Sequence, residues 1–286
     1  MTVTQLSGPG VPLFSPETIL LRASSENFPV ALRILRRETR AHLLAIYGFA
    51  RLVDQIGDEA PGDRLPLLDW VEDDLERAFG GAPAHPLLQT LAPTIRALDL
   101  PRDPFLRLID ANRRDQVQSR YPTFADLVGY CRLSANPVGE LVLHVFGVAT
   151  PERVALSDAV CTALQLVEHW QDVGEDFLQG RVYLPEEDLE RFGVTDEDLS
   201  AATASLPLRR LLAFEVERAS ALLDEGARLL ALLDGRARLA IAGYIGGGRA
   251  AIDALSESDY AVLPVAPRPH ALRRIRSIIH TLRSTS

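Results

Sequence analysis

The strongest constraint on this chain is a rhythm. Apolar residues recur three and four positions apart almost throughout, the spacing that turns one helix face toward a core. Alternating β-branched runs bounded by turn residues, the mark of strands, are scarce. The rhythm predicts an all-α protein, interrupted by Gly and Pro clusters at residues 60–64, 80–86, 100–104 and 180–185. Helix starts are marked by capping boxes at Thr123-Phe-Ala-Asp126 and Thr195-Asp-Glu-Asp198, and by Thr150 followed by Pro151 and Glu152. Gly246, Gly247 and Gly248 interrupt a further helical stretch, either as a kink or where a neighbour comes close.

No gap is long enough for an interdomain linker and no fixed period repeats, so residues 1–286 read as one helical domain, with residues 1–15 a flexible N-terminus. With 286 residues and 47% hydrophobic content the chain can bury a sizeable core. A formal charge of −9 argues against a nucleic-acid binder and leaves divalent metal as a partner. Every basic side chain apart from His is Arg, since there is no Lys; Arg is a good diphosphate clamp, though genomic base composition explains the bias more simply. Cys131 and Cys161 are too few and too far apart for a disulfide framework or a zinc motif and read as reduced thiols. The start MTVTQLSGPGVPLF resembles no signal peptide, and no apolar run reaches membrane-spanning length, which makes the expected location cytoplasmic. The C-terminal RPHALRRIRSIIHTLRS is basic and amphipathic. It suits peripheral contact with the inner face of a membrane, or, the reading preferred from sequence, a terminal helix packed on the core with its Arg residues solvated.

Two stripes carry the chemistry. Tyr47, Arg51, Asp54 and Asp58 follow i, i+4, i+7, i+11 spacing, and Gln165, Glu168, Asp172 and Asp176 line one face of a second segment. Taken singly, either stripe reads as a solvated face. Like charges one turn apart repel, however, and a wet face would more naturally mix signs. Facing carboxylate helices with a cation between them remove that repulsion. Magnesium takes oxygen ligands and commonly bridges one or two carboxylates to phosphates, so the pair suggests capture of a diphosphate and help for its departure as a leaving group.

The segments YGFARLVDQIGDE and QLVEHWQDVGEDFLQGRVYLP resemble the two aspartate-rich motifs of the squalene and phytoene synthase family. RYPTFADLVGYCRLSANPVGELVLHVFG is similar to its central helix, with Tyr130, Cys131, Val138 and Gly139 at the matching positions. ENFPVA near residue 26 and GGGRAAIDAL near residue 246 extend the resemblance over nearly the whole chain. ENFPVA, SANPVG and WQDV look most like the bacterial hydroxysqualene-forming branch of hopanoid biosynthesis. The resemblance implies a class I isoprenoid synthase helical bundle around a central apolar cavity, with Mg2+ as cofactor. It also implies ionisation of presqualene diphosphate, or a related prenyl diphosphate, with water capturing the rearranged cation. A presqualene-forming enzyme is an implied partner.

Carried over by position, Asp54, Asp58, Asp172 and Asp176 would hold magnesium, with Glu168 as a further ligand. Tyr47, Arg51 and Gln165 would line the diphosphate end, Arg51 also pairing with an acid of its own helix. Arg181 and Tyr183 would close over the diphosphate or form a surface turn, and Arg249 would reach it or solvent. Phe28 would wall the pocket or only pack. Tyr130 would stabilise cationic charge and Asn136 would place water, unless the two form a buried structural pair. Two departures bear on the metal: Asp54-Gln55 replaces two adjacent aspartates, and Glu168 stands at a usual asparagine; a third, Gln171, replaces an arginine seen in many phytoene and squalene synthases and resembles the hydroxysqualene-forming branch. Two other readings stay open: another head-to-head synthase making presqualene diphosphate, squalene or phytoene, and a non-catalytic lipid-binding or assembly protein of the same fold.

Overall fold

Helices carry most of residues 35–284, which the computed structural model describes. Phe28, the ENFPVA segment and the stretch 1–15 lie outside the described residues. Among these, the only β pairing is an isolated bridge between Arg120 and Val182, in keeping with the all-α expectation. Two compact units emerge, one of residues 35–117 with Pro137–Ala149, the other of Gln118–Asn136 with residues 150–284.

The first unit begins with α1 (Arg37–Glu59), α2 (Leu65–Gly80), α3 (Pro86–Leu98) and α4 (Asp103–Asp115). α1 buries Leu43, Ile46, Phe49, Leu52, Val53 and Ile56, a stripe that packs against α2, α3 and α4. Phe49 meets Phe105 edge-to-face at 5.2 Å, and each such buried ring contributes about 1.5–3 kcal/mol. The turns fall where Gly and Pro place them, and polar side chains complete them. Arg64 donates to the carbonyls of Gly57 at 2.6 Å, Asp58 at 2.8 Å and Ala60 at 2.9 Å, satisfying the orphan acceptors at the end of α1. Buried Asp74 does the same for the next turn, accepting from the backbone N–H of Ala84 at 2.7 Å and His85 at 2.8 Å.

The second unit opens with α5 (Phe124–Ser134), started by the expected Thr123/Asp126 capping box. α6 (Asn136–Val145) begins on Asn136 and otherwise belongs to the first unit. α7 (Pro151–Gln171) is capped by Thr150 and followed by α8 (Val173–Leu178), α9 (Glu186–Phe192) and α10 (Asp196–Leu199). α11 (Leu206–Ala227), a 3-10 turn (Arg228–Leu232), α12 (Gly235–Glu257) and α13 (Ala271–Ser284) complete it. α7 lies along α11 with Leu166, Val167 and Trp170 fully buried. The approach is close: a Cβ on Gly226 would sit 2.7 Å from the Val160 backbone nitrogen.

The triple glycine follows the second of its two readings, close approach of a neighbour. α12 runs through Gly246–Gly248 without a break, and a Cβ on Gly246 would lie 2.7 Å from Cα of Ile278 on α13. The helix-propensity cost, about 1 kcal/mol per glycine, is offset by backbone-close packing. Cys131 is buried, and its thiol is pushed up to about 12 by burial; Cys161 is half-buried.

Candidate active site

On α1, Tyr47 is buried, Arg51 and Asp54 are half-exposed and Asp58 is exposed. The Arg51 guanidinium stands 3.8 Å from the Asp54 carboxylate. Asn112 of α4, buried and not singled out from sequence, donates its amide to Asp54 Oδ1 at 3.3 Å. Room for it comes from Gly57, where a Cβ would fall 1.9 Å from Asn112 Oδ1. That glycine inside the first motif was the legible sign that a neighbour approaches there. Gln55 is engaged locally, donating to Glu59 at 2.7 Å.

The second motif is not one continuous helix, as its stripe had suggested. α7 ends at Gln171, Asp172 adopts φ −101° and ψ 14°, and α8 restarts at Val173. Hydrogen bonds cross the junction, Asp172 N to Glu168 O at 2.9 Å and Asp176 N to Asp172 O at 2.8 Å, so the acids stay one turn apart despite the break. Gln171 donates to Pro267 O at 3.1 Å, and a Cβ on Gly174 would be 2.5 Å from Leu263. Both contacts bring the segment after α12 against the junction. Burial, followed by the charges of Asp176 and Glu175, raises the Asp172 carboxyl above its ordinary range. Asp176 Oδ2 is buried without a hydrogen bond among the described residues.

His169, passed over in the sequence reading, stands beside both acids' stripe. Its Nε2 lies 3.1 Å from Gln165 Nε2, a side-chain hydrogen bond one turn along α7. Nδ1 faces Asp176 Oδ2 at 3.8 Å. The ring stacks on Tyr183 at 3.7 Å and 13°, Tyr183 stacks on Tyr121 at 5.8 Å and 19°, and Tyr130 tilts against all three. All four rings are buried. Tyr121, also missed, sits in the quoted central segment directly after Arg120.

The loop carrying Arg181 and Tyr183 is pinned as a strap. Arg181 N donates to Asp176 O at 2.9 Å, Val182 N to Ser119 O at 2.8 Å and Glu186 N to Tyr121 O at 2.9 Å. Tyr183 therefore belongs to the buried aromatic cluster and not to a surface turn, while Arg181 is half-buried at the strap's base.

Two residues expected at the site have other occupations. Asn136 is buried, and with its amide nitrogen toward the acceptors it donates to Thr162 Oγ1 at 3.0 Å and to the carbonyls of Cys131 and Asp158 at 3.3 Å each. That bracing of α5 against α7 matches the structural alternative for Asn136. Arg249 donates to Asp224 at 2.7 Å and Thr281 at 3.1 Å, tying α12 to α11 and α13. Glu168 is half-exposed on α7, one turn before Asp172.

Comparison with known proteins adds three kinds of likeness. The squalene/phytoene synthase family model matches residues 21–275. A hydroxysqualene synthase of Sinorhizobium fredii is 36% identical over 209 residues, covering 72% of this chain and 70% of that protein. A phytoene synthase of Mycobacterium tuberculosis is 32% identical over 232 residues, covering 79% and 76%. The crystal structure of squalene synthase HpnC from Alicyclobacillus acidocaldarius superposes with a TM-score of 0.79 at 44% identity, covering 89% of this chain and 95% of that one.

Proposed function

Because this chain belongs to the squalene/phytoene synthase family and has the all-helical isoprenoid synthase fold, we propose that within that head-to-head prenyl synthase family it is a hydroxysqualene synthase acting on presqualene diphosphate. One observation carries the reading: in the second unit an acid pair one turn apart lies beside four buried rings. Acids of that kind suit the diphosphate end of a substrate through a cation. Rings suit the carbocation left behind, since an aromatic face attracts positive charge.

The residues fit magnesium. Within neither unit do three His, Cys, Asp or Glu side chains of the described residues converge as an all-protein cage would require. Magnesium needs no such cage, since it usually takes one or two carboxylates and completes its shell from water and phosphate. The raised Asp172, crowded by Asp176 and Glu175, is the mark of a carboxylate group that a divalent ion would relieve. Each set is proposed by itself as a holder of magnesium: Asp54 and Asp58 in the first unit, and Asp172 and Asp176 with Glu168 in the second. When bound, the ion supplies Lewis-acid stabilisation of the departing diphosphate.

In the proposed reaction the carbon–oxygen bond breaks with its electron pair leaving on the diphosphate. The cation rearranges, water adds, and a proton is released. Tyr47, Arg51, Gln165 and Arg181 are assigned to the diphosphate, while Tyr130 is assigned to the cation and Tyr183, stacked between His169 and Tyr121, holds the ring cluster together. Gln165 and His169 hold each other through a side-chain hydrogen bond. Asn136 and Arg249 are assigned to the scaffold.

The phytoene synthase relative at 32% identity supports a second reading within the family, coupling of two prenyl diphosphates. Purified protein with magnesium and, separately, presqualene diphosphate, farnesyl diphosphate and geranylgeranyl diphosphate separates the two by mass spectrometry of the products. An alcohol from presqualene diphosphate is the expected result. Phytoene from geranylgeranyl diphosphate alone would replace it, and no turnover of any of the three would leave a non-catalytic lipid-binding role.

A further inference from the structure

The protein carries a formal charge of −9, yet residues 261–286 contain no Asp or Glu and hold Arg268, Arg273, Arg274, Arg276, Arg283, His270 and His280. α13 occupies most of this segment and divides its side chains sharply. Its inner side meets α12: Ile278 lies against Gly246, buried Thr281 bonds to Arg249 at 3.1 Å, and Arg273 pairs with Glu257 at 2.5 Å. Its outer side presents Ile275, 54% exposed, and Ile279, 44% exposed, one turn apart. Exposed Arg276, His280 and Arg283 flank them. With no acid in the segment, none of these cations can be neutralised along its own helix. Val265, 79% exposed, adds a third apolar side chain just ahead of α13.

The sequence alone favoured packing of these isoleucines on the core; the structure sends Ile278 inward and Ile275 and Ile279 out. We propose that the outer face of α13 docks on an anionic lipid bilayer. A helix with apolar side chains ringed by basic ones lies in the plane of the headgroups, its apolar residues in the acyl boundary and its cations on lipid phosphates. At 14 residues α13 is about 21 Å long, too short for a hydrocarbon core of roughly 30 Å. No helix among the described residues is long and apolar enough to cross a membrane, so the contact is peripheral. A second copy fits this face poorly, because two-fold self-pairing sets each patch against its own image and brings Arg276 and Arg283 against like charge. The inference is independent of the reaction assigned above.

Co-sedimentation of the full chain with vesicles tests it, comparing phosphatidylcholine alone with vesicles in which phosphatidylglycerol replaces half of it. Binding at least about tenfold tighter to the anionic vesicles, weakened by added salt, is expected. Ile275→Ser with Ile279→Ser, and separately Arg276→Glu with Arg283→Glu, should each weaken it by about tenfold or more. Circular dichroism and Tm should not change, because the altered side chains point outward. Absence of binding, equal binding to both vesicles, or variants that bind like the parent would each overturn the proposal. Self-association of the parent in sedimentation velocity, abolished by the isoleucine pair, would overturn it in favour of a second copy.

Discussion

Two acid pairs with the same spacing end in opposite circumstances. Asp54 and Asp58 ride an unbroken helix in water: the Asp54 side chain is 44% exposed, Arg51 stands nearby, and Asn112 donates an amide to it. Asp172 and Asp176 straddle a helix break among buried rings, with one carboxylate oxygen of Asp176 buried and unbonded among the described residues. Burial and two neighbouring acids raise Asp172. Spacing decides which acids share a face; burial and partners decide how strongly the pair needs a cation. The first pair is braced and more exposed, the second crowded and half-buried, so the second should depend more on metal.

The largest effect expected from that contrast is on turnover. Asp172→Asn should lower kcat/KM by about a thousandfold, the loss of roughly 4 kcal/mol of charge stabilisation, and Asp54→Asn by clearly less. Thermal unfolding gives the same comparison without substrate. Asp172→Asn removes a crowded charge and should leave the metal-free protein at least as stable as the parent, while cancelling part of the Tm gain from added magnesium. Equal losses of activity for the two variants would break the distinction between the pairs.

A smaller effect is expected at His169, which has no counterpart beside the first pair. His169→Phe keeps a ring on Tyr183 but removes the nitrogen 3.8 Å from Asp176, whereas His169→Ala removes both. Groups that orient metal-facing side chains are commonly worth 10–100-fold. His169→Ala should therefore cost about tenfold in kcat/KM, and His169→Phe should raise the magnesium requirement while the strap keeps its amide-exchange protection. If His169→Phe needed no more magnesium than the parent, the imidazole would serve only as a stacking ring.

Much of this was legible in the sequence, for identifiable reasons. Helix starts at Thr123, Thr150 and Thr195 and the Gly and Pro breaks are local chemistry, and local chemistry survives folding. Stripe membership on α1 followed from period alone. What period could not convey was the third dimension: the break at Asp172, the turn of Asn136 into the gap between α5 and α7, and the capture of Arg249 by Asp224 all depend on neighbours distant in sequence. His169 shares the face of Gln165, four residues before it, but is not an acid and so was passed over; Tyr121 lies outside both stripes, and only the strap folding back brings Tyr183 between the two rings. The glycines at 57 and 246 were visible, but which neighbour each admits was not.

The smallest effect concerns how the two regions are anchored. The turn after the first pair is held by Arg64, a permanent cation, through backbone carbonyls. The strap after the second pair leads into α9, whose buried Asp188 shares Arg218 with fully buried Glu215 of α11, at 2.6 and 3.2 Å. Arg218 lies between the two buried acids, while the other cation near Asp188, exposed Arg191, stands off at 3.9 Å. Burial, with a hydrogen bond to Asp188, pushes Glu215 up to about 8 from 4.5. The folded state thus holds a proton that the unfolded chain has released, so this group's stabilising contribution is complete below about pH 4.5 and is lost as pH rises toward 8. Gln at 215 cannot ionise and can still donate to Asp188. Tm measured from pH 5 to pH 9 should fall more steeply for the parent than for Glu215→Gln, the curves diverging by a few degrees at the alkaline end. Parallel curves for the parent and Glu215→Gln would mean that the second region's anchor does not titrate, and that the two regions differ only at their acids.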